Sequence, residues 1–228
     1  NEWVYMRPSL FPSVLTSVKQ NFKIKQDLAL FELSTIYSYR EAELPEEKQM
    51  ILIAWTGDKF YVAKGVAEAI FDLFGIQLAE SPKIKMDWYS EKQLQLGSYG
   101  SVGLIDQKLL DTLQIHTQVT ILELDIKKLI THARSTKQYI TIPKYPPSFE
   151  DLAFIIQPKT RVGDLIRALR ETDPLISEIT LLDSFVHTRT LHVTYLSLEK
   201  NLTAEDIKPV REKILAKALL EFGAKLKT

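Results

Sequence analysis

The chain has 228 residues, 45% hydrophobic and 25% charged, with 29 Lys plus Arg against 29 Asp plus Glu. That balance is ordinary for a globular protein and excludes a polybasic nucleic-acid arm or an acidic tail. The lack of cysteine excludes disulfides, thiolate metal sites and cysteine nucleophiles, and fits a cytoplasmic setting.

The length suits one large domain or two modest ones. No apolar run approaches the roughly 18 residues of a membrane helix. The N-terminus lacks the charged-then-apolar order of a signal peptide, and Asn1 in place of an initiator Met is what a processed or excised chain would show. Residues 9–22 carry Leu10, Val14, Leu15, Val18 and Phe22 at the spacing of one helical face. Leu28–Tyr37 is β-rich and reads as a strand. Glu41–Lys48, with four glutamates and Pro45, reads as a solvated turn. Gln49–Trp55 is a continuous apolar run that fits a buried strand. Phe60–Phe74 repeats apolar residues at helical spacing, and Gly75 stops it. Short strands are expected at Ile84–Trp88, Leu94–Ser98, Ser101–Ile105 and Val119–Leu124. Short helices are expected at Gln107–Leu113 and Ile126–Ala133.

Composition shifts near residue 134. Pro143, Pro146 and Pro147 fix φ and remove donors, so Ala133–Pro147 should be extended. The expected organisation is a domain over 1–133, a linker over 134–147 and a second domain over 148–228. In the second, Leu152–Gln157 reads as a strand and Val162–Glu171 as a helix. Ile176–Phe185 and Thr190–Leu198 read as strands, Thr203–Phe222 as a helix ended by Gly223, and Ala224–Lys227 as a last short strand. The order βαββαβ is the ferredoxin-like or RRM-like arrangement. The fold class is α+β. Thr203 with Asp206 resembles a capping box, and Pro209 belongs in the first turns or kinks the helix.

Motifs for chemistry are few. His116, His132, His187 and His192 have no helical metal-site spacing, although His187 and His192 flank a turn and could approach one another. No P-loop, GxGxxG or GxSxG occurs. Gly97, Gly100 and Gly103 sit between strand-like runs and read as a hairpin turn. Glu46, Glu47, Asp87, Glu91 and Asp183 are the candidate acid/base carboxylates, with solvated surface charge the plain reading. Asp183 stands out because it interrupts an apolar strand, where a carboxylate is costly unless it faces solvent or a partner. In a βαββαβ sheet both helices cover one face. Alternation directs Leu152, Phe154 and Ile156 to the helices. It leaves Asp151, Ala153, Ile155, His192 and Thr194 on the open face, which takes unstacked bases in RNA-binding members of this architecture.

Three blocks carry a resemblance to a known family. YPPSFEDLAFII (Tyr145–Ile156), LLDSF (Leu181–Phe185) and LHVTYLSLEKNLTAEDI (Leu191–Ile207), with the LLEFGAKLK ending, resemble the anticodon-binding module of the bacterial phenylalanyl-tRNA synthetase β-subunit family. MRPSLFPSVLTSVKQN (Met6–Asn21), LALFELSTIYS (Leu28–Ser38) and YVAKGVAEAIFDLFGI resemble the catalytic-like module of the same family. The resemblance implies a non-catalytic module of class II synthetase fold, a mixed antiparallel sheet, followed by a ferredoxin-like anticodon-binding domain. It implies an (αβ)2 assembly with an α subunit that holds the active site. It also implies tRNA as partner, and ATP and Mg2+ for the full ligase only, with no cofactor or metal in this stretch. Carried over by motif, the anticodon-binding residues are Ala153, Asp183 and Thr188; His192 and Thr194 join them by alternation. Two departures stand out. Glu150 replaces an Arg common before the DLA triplet and Leu196 one common after the third-strand aromatic, which would remove positive charge from the RNA side. The family's His-Pro-Gly segment is replaced by WYSEKQLQLGSYG. A different reading is a pure assembly module, with Trp3, Tyr5, Trp55 and Trp88 as partner-facing apolar side chains.

Overall fold

A computed structural model describes residues 5–77, 85–134 and 142–227. The chain divides into two compact units, Asn1–Gln138 and Tyr139–Thr228.

The first unit is built on one antiparallel sheet. Its strands are β1 (Ala29–Ser38), β2 (Glu46–Thr56), β3 (Tyr89–Gln95), β4 (Gly100–Ile105) and β5 (Val119–Asp125), in the order β1-β2-β5-β4-β3. Helices α1 (Phe11–Phe22), α2 (Phe60–Leu73), α3 (Gln107–Thr112) and α4 (Ile126–His132) cover it. The apolar run of β2 shows why both faces need cover. Met50, Leu52 and Ala54 pack with Val14, Leu15 and Val18 of α1 and Leu110 of α3. Ile51, Ile53 and Trp55 join the opposite cluster, with Ala63, Ala67 and Phe71 of α2 and Leu129 of α4. Asp106 and Asp125 cap α3 and α4 by accepting from the Lys108 and Lys128 amides at 2.9 and 3.0 Å. Gly100 closes the β3–β4 hairpin at φ +159°, where a Cβ would stand 1.9 Å from the Glu123 carbonyl oxygen. Only a residue without a side chain lets β4 come that near β5.

Three expected elements differ. The strand expected at Leu94–Ser98 runs earlier, as β3 over Tyr89–Gln95, with Gly97 and Ser98 in the hairpin turn. Glu46–Lys48 belongs to β2 and pairs with Ser38, Tyr37 and Ile36, since a long hairpin partner extends the strand beyond its apolar core. Residues 85–88 form no strand; Asp87 and Trp88 make a turn into β3, and Ile84 lies outside the described residues.

The second unit contains β6 (Ser148–Ile155), α5 (Val162–Arg170), β7 (Ile176–Phe185), β8 (Thr188–Tyr195), α6 (Ala204–Phe222) and β9 (Lys225–Leu226). All its ladders are antiparallel, in the order β7-β8-β6-β9. Leu152 and Phe154 of β6, with Leu191 and Val193 of β8, pack against α5 and α6. Thr203 and Asp206 form the reciprocal capping box that opens α6. Pro209 sits inside the helix without ending it, and Gly223 ends it at φ +61°.

Candidate nucleic-acid interface

The second unit buries one face of its sheet and leaves the other bare. Period-two alternation places Leu191, Val193 and Tyr195 in the core and Thr188, Thr190, His192 and Thr194 on the bare face. Alternation does the same for Phe149, Asp151, Ala153 and Ile155 on β6.

Cross-strand register arranges these side chains in rows. Ala153, Thr190 and Asp183 form one, because Ala153 and Asp183 both oppose Thr190. Asp151, His192 and Thr180 form the next; Phe149, Thr194 and Glu178 the third. At the other end Ile155, Thr188 and Phe185 share a row. The sequence-derived residues therefore fall on one surface, but only Ala153 and Asp183 share a row. Thr188 and Thr194 lie at opposite ends.

Asp183 reaches this surface through a β-bulge. Counting outward from the buried Ile179, strict alternation would send Leu181 and then Asp183 toward the helices. The register shifts between Leu181, which opposes Leu191, and Asp183, which opposes Thr190. The extra residue, Leu182, turns Asp183 to the bare face, where it is exposed. Its Oδ1 accepts from the Ser184 amide at 2.7 Å, and its other oxygen is left for a ligand.

The neighbouring row is also built. His192 Nδ1 lies 2.6 Å from Asp151 Oδ1. The imidazole stacks on Phe149, with ring centroids 5.3 Å apart and planes 21° from parallel. Phe149 and Phe185 are 60% and 69% exposed and offer apolar faces at the two ends of the surface. Sequence reasoning missed Thr190, Phe149 and Phe185. The first two follow from the same alternation that gave Ala153 and His192; Phe185 depends on the bulge.

Glu150 is a correction. It faces the helix side, with Oε1 2.5 Å from Arg211 Nε of α6 and Oε2 accepting from the Tyr195 hydroxyl at 3.1 Å. An acid at 150 thus anchors α6 and takes no charge from the bare face. Burial, then the Glu150 charge, pushes the Tyr195 phenol up. Leu196 is half-buried after the end of β8, where its amide donates to the Leu175 carbonyl at 2.8 Å.

The bare face carries Asp151, Asp183 and Glu178 against His192 and Lys225, the latter opposite Ile155. An acidic surface repels phosphates and accepts hydrogen bonds from base edges. A nucleic acid would therefore meet it bases first. The remaining histidine and carboxylate candidates do not gather into a site. Among the described residues no three His, Cys, Asp or Glu side chains could hold a metal ion together. Glu91 pairs with Lys85 at 2.7 Å and Glu46 with Lys48 at 3.4 Å. Of the apolar partner-facing candidates, Tyr5 is 91% and Trp88 44% exposed, whereas Trp55 packs against the α2 cluster and is no surface anchor. Trp3 lies outside the described residues. Among those residues, no helix is long and apolar enough to cross a membrane.

Comparison with known proteins bears on the family of each unit. Residues 1–126 match the family described as phenylalanyl tRNA synthetase beta chain CLM domain, and residues 143–227 match the ferredoxin-fold anticodon binding domain. The phenylalanine–tRNA ligase beta subunit of Bacillus cereus is 27% identical over 97% of this chain and 31% of that protein. The Geobacter sulfurreducens beta subunit is 26% identical over 100% of this chain and 32% of that protein. The chain thus spans about a third of the length of the curated relatives it matches. Among solved structures, a pyrrolysyl tRNA synthetase of Desulfitobacterium hafniense is 18% identical, covering 57% of this chain and 54% of that one, with a TM-score of 0.45.

Proposed function

The chain belongs to the family of the phenylalanyl tRNA synthetase beta chain CLM domain, and from that premise we propose that it serves as part of a phenylalanine–tRNA ligase β subunit. Its second unit binds the anticodon of the tRNA on the bare face of β6–β8. The first unit is a non-catalytic module that helps assemble the enzyme with an α subunit in an (αβ)2 complex. ATP and Mg2+ serve the whole ligase at the α subunit's active site, in the cytoplasm.

The observation that carries the anticodon reading is the row Ala153–Thr190–Asp183. A methyl, a hydroxyl and a carboxylate stand side by side on an uncovered sheet. The methyl leaves room for a flat base to approach. The carboxylate accepts from paired donors such as the N1 and N2 groups of a guanine edge. The hydroxyl of Thr190 can donate or accept. Phe149 and Phe185 add stacking surfaces beyond the row.

The test is a titration of the reconstituted enzyme with phenylalanine tRNA and with an anticodon-swapped tRNA. Tighter binding of the first, with Asp183→Ala costing about 1–3 kcal/mol only for the first, is the expected result. Equal affinity for both tRNAs would reject the site. An assembly role with incidental RNA contact is the second reading, favoured by Phe31 and Leu33, which are 73% and 60% exposed on the edge strand β1. Assembly with the α subunit by light scattering, combined with equal affinity for both tRNAs, would favour it.

A further inference from the structure

The first unit holds a cavity that the anticodon reading does not use. It has a volume of about 500 Å³ on the α1 side of the sheet and is walled by Phe11, Leu15, Ile36, Trp88, Leu109 and Leu113. Its single charged wall residue among the described residues is Glu123. Ile36, Trp88 and Glu123 also line an adjoining recess of about 240 Å³, so the two spaces meet at the carboxylate.

Glu123 is there because β5 alternates. Val119 and Ile121 face the α1 core, and Glu123 follows them on that side, between Leu52 of β2 and Ser101 of β4. Its carboxylate makes no hydrogen bond or ion pair with any described residue. The charged groups facing the recess are engaged elsewhere. Lys128 donates to the Ser98 carbonyl at 2.7 Å and lies 3.8 Å from Asp125, and Lys48 lies 3.4 Å from Glu46. Arg7, near the start of α1, is held by Glu32 at 2.5 Å. The hydroxyls of Tyr89 and Ser101 pair with each other at 3.3 Å.

We propose that this cavity binds a small molecule in which an apolar body carries a cationic amine, the body lying against Phe11, Trp88 and Leu113 and the ammonium pairing with Glu123. An unpartnered carboxylate in an apolar wall is costly, and an ammonium supplies it with both opposite charge and donors. An anion is repelled, and a neutral apolar molecule leaves the carboxylate unmatched. The volume is within the usual range for small-ligand sites. Burial also pushes the Glu123 carboxyl up to about 7. Its ionised fraction, and with it amine binding, therefore grows as pH rises through neutrality. This proposal does not depend on tRNA binding.

Benzylamine and benzyl alcohol, alike in size and differing in charge, test it by NMR titration of the 228-residue chain at pH 6 and pH 8. Benzylamine is expected to bind at pH 8 at least about tenfold tighter than benzyl alcohol, and on the order of tenfold more weakly at pH 6. Glu123→Gln should bind both alike at both pH values. Leu109→Trp, which narrows the cavity without changing charge, should weaken binding of both. Equal affinities in the wild type, no amine binding, undiminished binding in Leu109→Trp, or an amine preference surviving in Glu123→Gln would overturn the proposal.

Discussion

Two acidic residues show that position relative to the sheet, more than residue type, sets what a carboxylate does here. Glu150 points under the sheet into Arg211 and the Tyr195 hydroxyl. Glu150→Ala leaves those groups unmatched and should cost about 1–3 kcal/mol in urea unfolding while leaving tRNA affinity unchanged. Loss of affinity in a folded variant would contradict that placement. Glu123 is the opposite case. Its carboxyl is raised by burial, so between the ordinary Glu range and about 7 the folded state holds more protons than the unfolded one. Stability therefore falls as pH rises through that window. Glu123→Gln should stabilise the protein by about 1–3 kcal/mol at pH 8 and by little at pH 4.5. Denaturant melts at the two pH values check this; equal gains would mean the carboxylate is not desolvated.

At the level of elements, β7 is the decisive strand. Deleting Leu182 leaves Asp183 directly after Leu181, so strict alternation keeps Asp183 on the bare face opposite Thr190, in a ladder without the bulge. The deletion and Leu182→Ala should therefore both retain tRNA affinity, whereas Asp183→Ala lowers it. Titration of the variants decides the point, and affinity lost in a folded deletion variant would make the bulge itself part of the binding surface. β7 also marks the limit of sequence reasoning. The strand's span, the βαββαβ order, the α6 cap and the outward faces of β6 and β8 all follow from apolar spacing and from Thr203, Asp206 and Gly223. The bulge does not, because an inserted residue leaves no mark on composition; only pairing with Leu191 and Thr190 reveals it. Residues 85–88 failed for a related reason. Ile84, Met86 and Trp88 alternate like a strand, but Asp87 and Trp88 turn the chain into β3 instead. The Glu150 misreading came from carrying a charge argument to a residue whose partner, Arg211, lies 61 positions away in sequence.

On the scale of the whole molecule, the cores are separate. Every residue of the two clusters around the five-stranded sheet lies at or before Leu129, and every residue of the second unit's cluster at or after Leu152. Residues 139–228 expressed alone should therefore fold and unfold in one cooperative transition, with a calorimetric enthalpy equal to the van't Hoff value. A molten fragment with no sharp melt would show that the unit borrows stability from elsewhere. Core substitutions in either half should then be tolerated or rejected on that half's own terms. Lineages could revise one half's interior while the other's stays fixed, so the two halves of this chain need not record the same evolutionary clock.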